Sequence, residues 1–246
     1  MKTPSTTTPS EPGDVEAELG NVDPVTEETS GELTLEEPTS AVTADLSVDE
    51  AKAEAAPQSS PVPLAKQDCG QLETQQSMNQ CAADNYKIAD NQLNQVYQQV
   101  RSGLSAVGQE QLTDAEEQWI TFRDAQCGFE SNYFEGGSMA ALIKASCMEQ
   151  ITDNRVAELQ QPIQPGMSFA SADEQLNRIY QSVQSIANET ESEALTDVQL
   201  SWLDYRDAHC EYEANLPSGT DIETCLAAIT ETRVWQLQAL RDGWSL

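Results

Sequence analysis

Two stretches of the chain read almost alike: Trp119-Ile120-Thr121-Phe122-Arg123-Asp124-Ala125-Gln126-Cys127 and Trp202-Leu203-Asp204-Tyr205-Arg206-Asp207-Ala208-His209-Cys210. The Trp, Arg, Asp, Ala and Cys are identical, and the fourth position keeps an aromatic ring. Such a duplication indicates that one structural unit occurs twice in the chain. The two copies can therefore be compared position by position.

The similarity extends to both sides of this motif. At the same offset of 83 residues, Asp90-Asn91-Gln92-Leu93-Asn94 returns as Asp173-Glu174-Gln175-Leu176-Asn177. Beyond the motif the offset is 78, so that Cys147 matches Cys225. The second copy has thus lost five residues between its second and third helices. A loop accepts such a deletion at little cost.

Apolar spacing predicts three helices in each copy and no strand. Steps of three and four join Tyr86 to Leu104, which places one stripe on a helix. A second helix is predicted to open near Thr113, an acceptable N-cap residue. Residues 132–138 read as a loop, and a third helix continues to about Gln160 before two prolines. The fold class is therefore all-α, with two tandem small helical bundles.

The first 66 residues differ in composition from the rest. They hold 8 of the 11 prolines and 14 acidic residues, but no Phe, Trp or Tyr. Such a segment cannot bury enough apolar surface to offset the entropy lost on ordering. We expect a disordered acidic segment over 1–66, either a tether or a passive tail. Helical domains are expected at 67–161 and 167–242.

Comparison of the copies predicts how the six cysteines pair. The second copy keeps only Cys210 and Cys225, the counterparts of Cys127 and Cys147, so each of these two sets should form a disulfide. Cys69 and Cys81 then pair by elimination and join a short N-terminal helix to the first long one. There is no CxxC pair and the only histidine is His209, so no metal site is predicted.

Three disulfides imply an oxidising compartment and hence export. No apolar signal segment follows Met1, and no run of residues reaches the length of a membrane span. We therefore expect a signal or anchor that this sequence does not display. The alternative is a cytosolic protein with reduced thiols.

The formal net charge of −30 restricts the choice of partner. Nucleic acid is disfavoured because phosphate binding needs clustered Lys and Arg, and an anionic membrane surface is disfavoured for the same reason. A basic protein partner is favoured, because opposite charges speed encounter. Alternatively, the acidity only keeps the chain in solution.

No catalytic or cofactor-binding residues are predicted. The sequence has no nucleophile elbow and no Gly-rich phosphate loop, and a lone histidine does not make an acid–base site. Carboxylate pairs could serve a glycosidase, but 42 acidic residues make chance pairs inevitable. The chain is therefore not expected to be an enzyme.

The repeated motif itself is interpreted as structural. Trp119 and Trp202 each lie three residues before an aromatic residue, so both rings share a helix face and should enter the core. Adjacent Arg and Asp face apart on a helix, so each needs another partner. We predict pairs between the last-helix arginines and the motif aspartates that set helix register, with a functional charge pair as the alternative. The residues concerned are Arg123, Asp124, Arg155, Arg206, Asp207 and Arg233.

The loop after the second helix differs between the copies and is the candidate for partner binding. In the first copy it contains Tyr133, Phe134 and Glu135, and exposed aromatic residues often anchor interfaces. In the second copy the corresponding loop offers Leu216 and Asp221. The alternative is that the two aromatic rings complete the core face of the helix.

Together these residues resemble the lysozyme inhibitor LprI-like N-terminal domain, a family of small exported bacterial helical domains. The resemblance covers 69–160 in full and about 169–240 in a shortened form without the first Cys-bearing helix. LprI proteins are usually lipoproteins, but no lipobox cysteine is visible because Cys69 is needed for a disulfide. The resemblance rests on Cys69, Cys81, Asp90, Asn94, Tyr97, Trp119, Arg123, Asp124, Cys127, Cys147, Thr152 and Arg155.

The resemblance implies inhibition of lysozyme. We therefore expect a periplasmic, extracellular or envelope-anchored binding protein whose acidic surface draws in a basic lysozyme and blocks its cleft. The alternatives are a structural or adaptor module that binds another envelope protein, and an enzyme acting on cell-wall glycans.

Overall fold

The computed structural model describes residues 65–217 and 219–244, and within them it contains six α-helices and no strand. The all-α prediction is confirmed. A short 3-10 helix, Cys69–Gln71, precedes the first α-helix. The segment 1–64, where a disordered tail is predicted, lies outside the described residues. The helices are α1 (Gln75–Ser102), α2 (Ala106–Asn132), α3 (Ala140–Gln160), α4 (Phe169–Ile186), α5 (Glu189–Ala214) and α6 (Ile222–Trp244).

Helix α2 begins about two turns earlier than the sequence pattern predicts. Ser105 is its N-cap, with a side chain that accepts a hydrogen bond from a first-turn backbone N–H. Thr113 lies inside the helix instead. Its hydroxyl donates to the Gln109 carbonyl and lies 3.0 Å from the Tyr97 hydroxyl of α1. Thr113 therefore contributes to the contact between α1 and α2 and does not cap a helix.

Three disulfides join the helices in the pairs that comparison of the copies predicts. They clip the 3-10 helix to α1, α2 to α3 and α5 to α6, with Cα–Cα distances of 5.5 to 5.6 Å. No cysteine in the described part of the chain is free. The pairs are Cys69–Cys81, Cys127–Cys147 and Cys210–Cys225.

The two repeats pack against each other through their middle helices. Within the first repeat α1 lies on α3, and within the second α4 lies on α6. Helix α2 lies along α5, and each of these middle helices also contacts the last helix of its own repeat. Contacts that residues of the first repeat make with the second have equivalent contacts in the opposite direction. This is the pattern expected for two similar units related by a two-fold axis. The core is continuous across this interface.

The segment before the first helix of each repeat is held by an equivalent acidic residue. Asp153 of α3 forms an ion pair with Lys66, which also lies 3.2 Å from Glu149. Glu231 occupies the equivalent position in α6 and accepts hydrogen bonds from the backbone N–H groups of residues 166 and 167. Lys66, assigned to the tail by its composition, thus belongs to the folded part.

Candidate functional site between the repeats

The last helix of each repeat contributes one fully buried arginine to the interface between the repeats. Arg155 and Arg233 are equivalent and both are 0% exposed. Each guanidinium lies over an aromatic ring of the other repeat: Arg155 is 5.5 Å from the centroid of Tyr205, and Arg233 is 5.1 Å from that of Phe122. A buried cation is costly unless it is paired and hydrogen-bonded, so the partners of each arginine define its site.

Arg155 lies among acidic residues, and we call Arg155, Glu116, Glu158, Tyr205 and His209 the charged cluster. Arg155 Nε donates to Glu116 at 2.9 Å, and Nη1 lies 3.5 Å from Glu158. The Tyr205 hydroxyl also donates to Glu158. Burial disfavours the cation, but the neighbouring side chains of Tyr205, Glu116 and Glu158 keep the pKa of Arg155 above its ordinary value. Burial raises the pKa of Glu158.

His209 is held neutral in a single tautomer. Its Nδ1 lies 3.0 Å from Arg155 Nη1, and because a guanidinium can only donate, Nδ1 accepts. The proton therefore resides on Nε2, which faces Glu213 at 3.6 Å. Burial, followed by the charge of Arg155, holds the pKa of His209 well below its ordinary value. The imidazole acts as an acceptor for the buried arginine.

Arg233 is surrounded by amides, and we call Arg233, Gln126, Gln199, Gln236 and Phe122 the neutral cluster. The guanidinium donates to Gln199 at 3.1 Å, to Gln126 at 2.8 Å and to Gln236 at 3.2 Å. Each amide occupies the position of a charged-cluster member: Glu116, His209 and Glu158 respectively. Burial lowers the pKa of Arg233 to about 9. The side chain is still charged at neutral pH.

A carboxyl group extends the neutral cluster towards the surface. Gln126 Nε2 donates to Glu130 at 2.7 Å while its Oε1 accepts from Arg233. Glu130 is equivalent to Glu213 of the second repeat. Burial raises its pKa, although the hydrogen bond from Gln126 and the charge of Arg233 act in the opposite direction.

The predicted pairing of Arg155 with Asp124 and of Arg233 with Asp207 is wrong. Asp124 is exposed and pairs with its neighbour Arg123 at 2.8 Å; Asp207 pairs with Arg206 at 2.7 Å. The aspartates face solvent, so they cannot reach the interior arginines. Arg123 bends over the Trp119 ring, with Cζ 4.8 Å from its centroid, and Arg206 lies 5.1 Å over Trp202. A long flexible guanidinium can thus meet an adjacent carboxylate.

The aromatic residues of the repeated motif lie in the core, as predicted. Trp119 and Trp202 are 2% and 1% exposed, and Phe122 and Tyr205 are buried between the repeats. The sequence pattern predicted no role in a site for Glu116, Glu158 and Gln126. It also predicted no catalytic role for His209. A signal was present, because all three positions differ between otherwise similar copies: Gln199 and Gln236 replace Glu116 and Glu158, and His209 replaces Gln126.

His209, Glu213 and Cys225 are the one set of potential metal ligands among the described residues, with ligand atoms within 4.8 Å of one another. Their chemistry does not fit a metal ion. The sulfur of Cys225 is bonded to Cys210, and His209 Nδ1 is used by Arg155. Too few donors remain for a coordination shell.

An open groove of about 490 Å³ lies beside the neutral cluster. Its walls come from α2, α3 and α6, and it therefore spans both repeats. Gln126 and Glu130 form its polar side, Phe134 lies at one end, and Trp235 at its edge is 71% exposed. Of the predicted partner-binding residues, Phe134 lines this groove. Its neighbour Tyr133 is 54% exposed and packs edge-to-face against Phe134, with centroids 5.3 Å apart.

These observations define a class of protein: a disulfide-bonded, all-α molecule made of a duplicated three-helix unit. No helix in the described part of the chain is long and apolar enough to cross a membrane. The sequence model of the lysozyme inhibitor LprI family matches residues 65–159 and 166–237, one segment for each repeat. The chain belongs to this family.

The chain is also similar to two individual proteins. Uncharacterized protein R02472 of Rhizobium meliloti (strain 1021) is 33% identical over 110 residues, which cover 38% of this chain and 77% of that protein. A crystal structure of an uncharacterised protein from Burkholderia thailandensis superposes with a TM-score of 0.53 at 16% identity, covering 69% of this chain and 88% of that one. The second similarity concerns the fold alone.

Proposed function

We propose that this chain is an exported binding protein that inhibits a lysozyme by covering its substrate cleft. The observation that carries the proposal is the match of both repeats to the lysozyme inhibitor LprI family. The charge supports the mechanism: residues 67–246 alone hold 28 acidic and 9 basic residues. A basic lysozyme would be attracted to this surface, and opposite charges would raise the association rate.

The loop after α2 is the proposed contact surface. Tyr133 and Glu135 are exposed there, and Gly136 has φ of 77°, a conformation that favours glycine. An exposed aromatic ring on a loop suits an interface anchor. In the second repeat Leu216 packs against the core and Asp221 accepts a hydrogen bond from a backbone N–H at the start of α6. We therefore assign the main contact to the first repeat.

The proposed location is the cell envelope or the extracellular space. Three disulfides are stable in an oxidising compartment and are rare in a reducing cytosol. The family match supports the same location.

A turbidity assay of cell-wall lysis by a basic lysozyme tests the proposal. Inhibition is expected at about 20 mM salt and should weaken strongly at about 500 mM, because salt screens the attraction between exposed charges. The full chain should show no lytic activity by itself. Absence of inhibition at low salt would exclude the proposed function and favour an adaptor role. Inhibition that is indifferent to salt would exclude the electrostatic mechanism.

Substitutions in the loop test the proposed surface. Tyr133→Ala should weaken inhibition about tenfold or more, as expected for an aromatic anchor at an interface. Leu200→Ala is the matched control, because Leu200 on α5 is 55% exposed and Tyr133 is 54% exposed. If both variants inhibit like the wild type, the contact lies elsewhere.

A further inference from the structure

The groove beside the neutral cluster has a counterpart beside the charged cluster, and the counterpart is filled. There, a space of only about 10 Å³ remains, about the size of one water molecule. Its lining residues are the equivalents of groove residues. Six residues that line this space each match a groove residue in the other repeat. The matching pairs are His209 and Gln126, Glu213 and Glu130, Cys225 and Cys147, Ala228 and Gln150, Ile229 and Ile151, and Glu158 and Gln236.

One difference between the two sites is the segment that follows the last helix of each repeat. Helix α3 ends at Gln160, since Pro162 disfavours continuation of a helix, and Gln161 is extended. Beyond α3, the half-buried Ile163 lines the small space beside the charged cluster. In the second repeat, α6 continues as a helix to Trp244. Within the described residues, no segment equivalent to 161–166 lies beside the neutral cluster.

The edge of the open groove carries an unusual side chain. Trp235 is 71% exposed, and its equivalent in the first repeat is Ala157. A large exposed indole beside a concave surface is typical of a binding site. On the opposite side Glu130 is partly buried, and burial raises its pKa. A basic group on a ligand would stabilise this carboxylate.

We propose that the groove binds an extended segment of a partner protein, which places a branched aliphatic side chain against the groove wall, as the linker places Ile163 beside the charged cluster. The chain's own linker, residues 161–166, shows the chemistry that suits the site: a non-helical backbone, prolines on both sides and one aliphatic side chain. A basic residue beside the anchor would face Glu130. This inference goes beyond the proposed function, because it holds whether or not the partner is a lysozyme.

The experiment uses the linker sequence as a probe. A synthetic peptide of residues 160–167, Gln-Gln-Pro-Ile-Gln-Pro-Gly-Met, is titrated into the full chain and binding is followed by calorimetry. We expect saturable binding with a Kd of about 1 mM, as suits a short peptide. A peptide with glycine in place of the isoleucine should bind about tenfold more weakly or worse, because the anchor's apolar burial is lost.

A substitution in the groove locates the binding. Gly243 lines the groove and a Cβ there meets open space, so Gly243→Leu should fill the groove without distorting the helix. We expect at least a tenfold loss of peptide affinity. Gly128→Leu is the matched control, because Gly128 is also helical, has open space for a Cβ and does not line the groove. It should bind the peptide like the wild type, and both variants should keep the wild-type thermal transition.

Two results would overturn the inference. One is equal affinity for the isoleucine and glycine peptides, or equal affinity of the two leucine variants. The other is self-association in sedimentation that Gly243→Leu abolishes, which would make a second copy the occupant. The lysozyme assay is separate: peptide binding without lysozyme inhibition would refute the proposed function and leave the groove assignment standing.

Discussion

The rings of Phe122 and Tyr205 lie parallel across the interface between the repeats, with centroids 5.9 Å apart and planes within 2°. The two residues occupy equivalent positions, so each repeat presents the same face to the other. Tyr205 differs from Phe122 by its hydroxyl group, which donates a hydrogen bond to the buried Glu158. The interface is thus symmetric in packing and asymmetric in polarity, because one side has charged partners for its arginine and the other has amides.

Removal of that hydroxyl should destabilise the protein. Tyr205→Phe takes one donor from a buried carboxyl group, which costs about 1–3 kcal/mol of the free energy of unfolding. Tyr97→Phe is the control, because its hydroxyl bonds to Thr113 in a half-buried position and should cost about 0.5–1.5 kcal/mol. Urea denaturation measures both. A smaller loss for Tyr205→Phe than for the control would contradict this account of the charged cluster.

The two buried arginines should differ in how much their removal costs. Arg155→Met leaves Glu116 and Glu158 without their cation, which should cost about 3–5 kcal/mol. Arg233→Met leaves three neutral amides without their donor, and Glu130 is not bonded to Arg233 directly, so about 1–3 kcal/mol is expected. Chemical denaturation of both variants tests the difference. Equal losses would show that the carboxylates of the charged cluster do not depend on Arg155.

His209 should make stability depend on pH below its ordinary pKa of 6.5. In the folded state its pKa is well below that value, so the unfolded chain binds a proton that the folded chain does not. Stability should therefore fall as the pH falls below about 6.5, by up to about 1.4 kcal/mol per pH unit. The raised pKa values of Glu158 and Glu213 act in the opposite direction, as pH rises above 4.5.

The variant His209→Gln isolates this effect, because it introduces the amide found at the equivalent Gln126 and leaves both glutamates in place. Its stability should fall less than that of the wild type between pH 6.5 and pH 5. Urea denaturation at several pH values measures the difference. Parallel curves for wild type and variant would mean that His209 is not the titrating group.

The disulfide between α5 and α6 should contribute strongly to stability. Cys210 and Cys225 are separated by 15 residues, and closing a loop of this length contributes about 3 kcal/mol in the chain-entropy model. The double variant Cys210→Ser, Cys225→Ser should lose about that amount in thermal or urea unfolding. Loss of less than about 1 kcal/mol would indicate residual structure in the unfolded chain.

Comparison of the repeats predicted the buried apolar positions correctly but did not predict the partners of the buried polar side chains. It identified Trp119 and Trp202 as core residues because apolar periodicity is local along a helix. It paired Arg155 with Asp124 wrongly, because the partner of an interior arginine depends on which helices meet. His209, the acceptor for Arg155, lies 54 residues away and carries no sequence pattern that joins them.

Internal similarity along the chain is enough to establish that a three-helix unit occurs twice and that its cysteines pair within each copy. Three features became visible only in the folded molecule. Helix α2 packs on α5, one buried arginine lies among charges and the other among amides, and Ile163 lines a nearly closed space whose equivalent is an open groove. These are long-range relationships. They depend on how the two repeats pack and on where the chain leaves α3, and no local pattern encodes either.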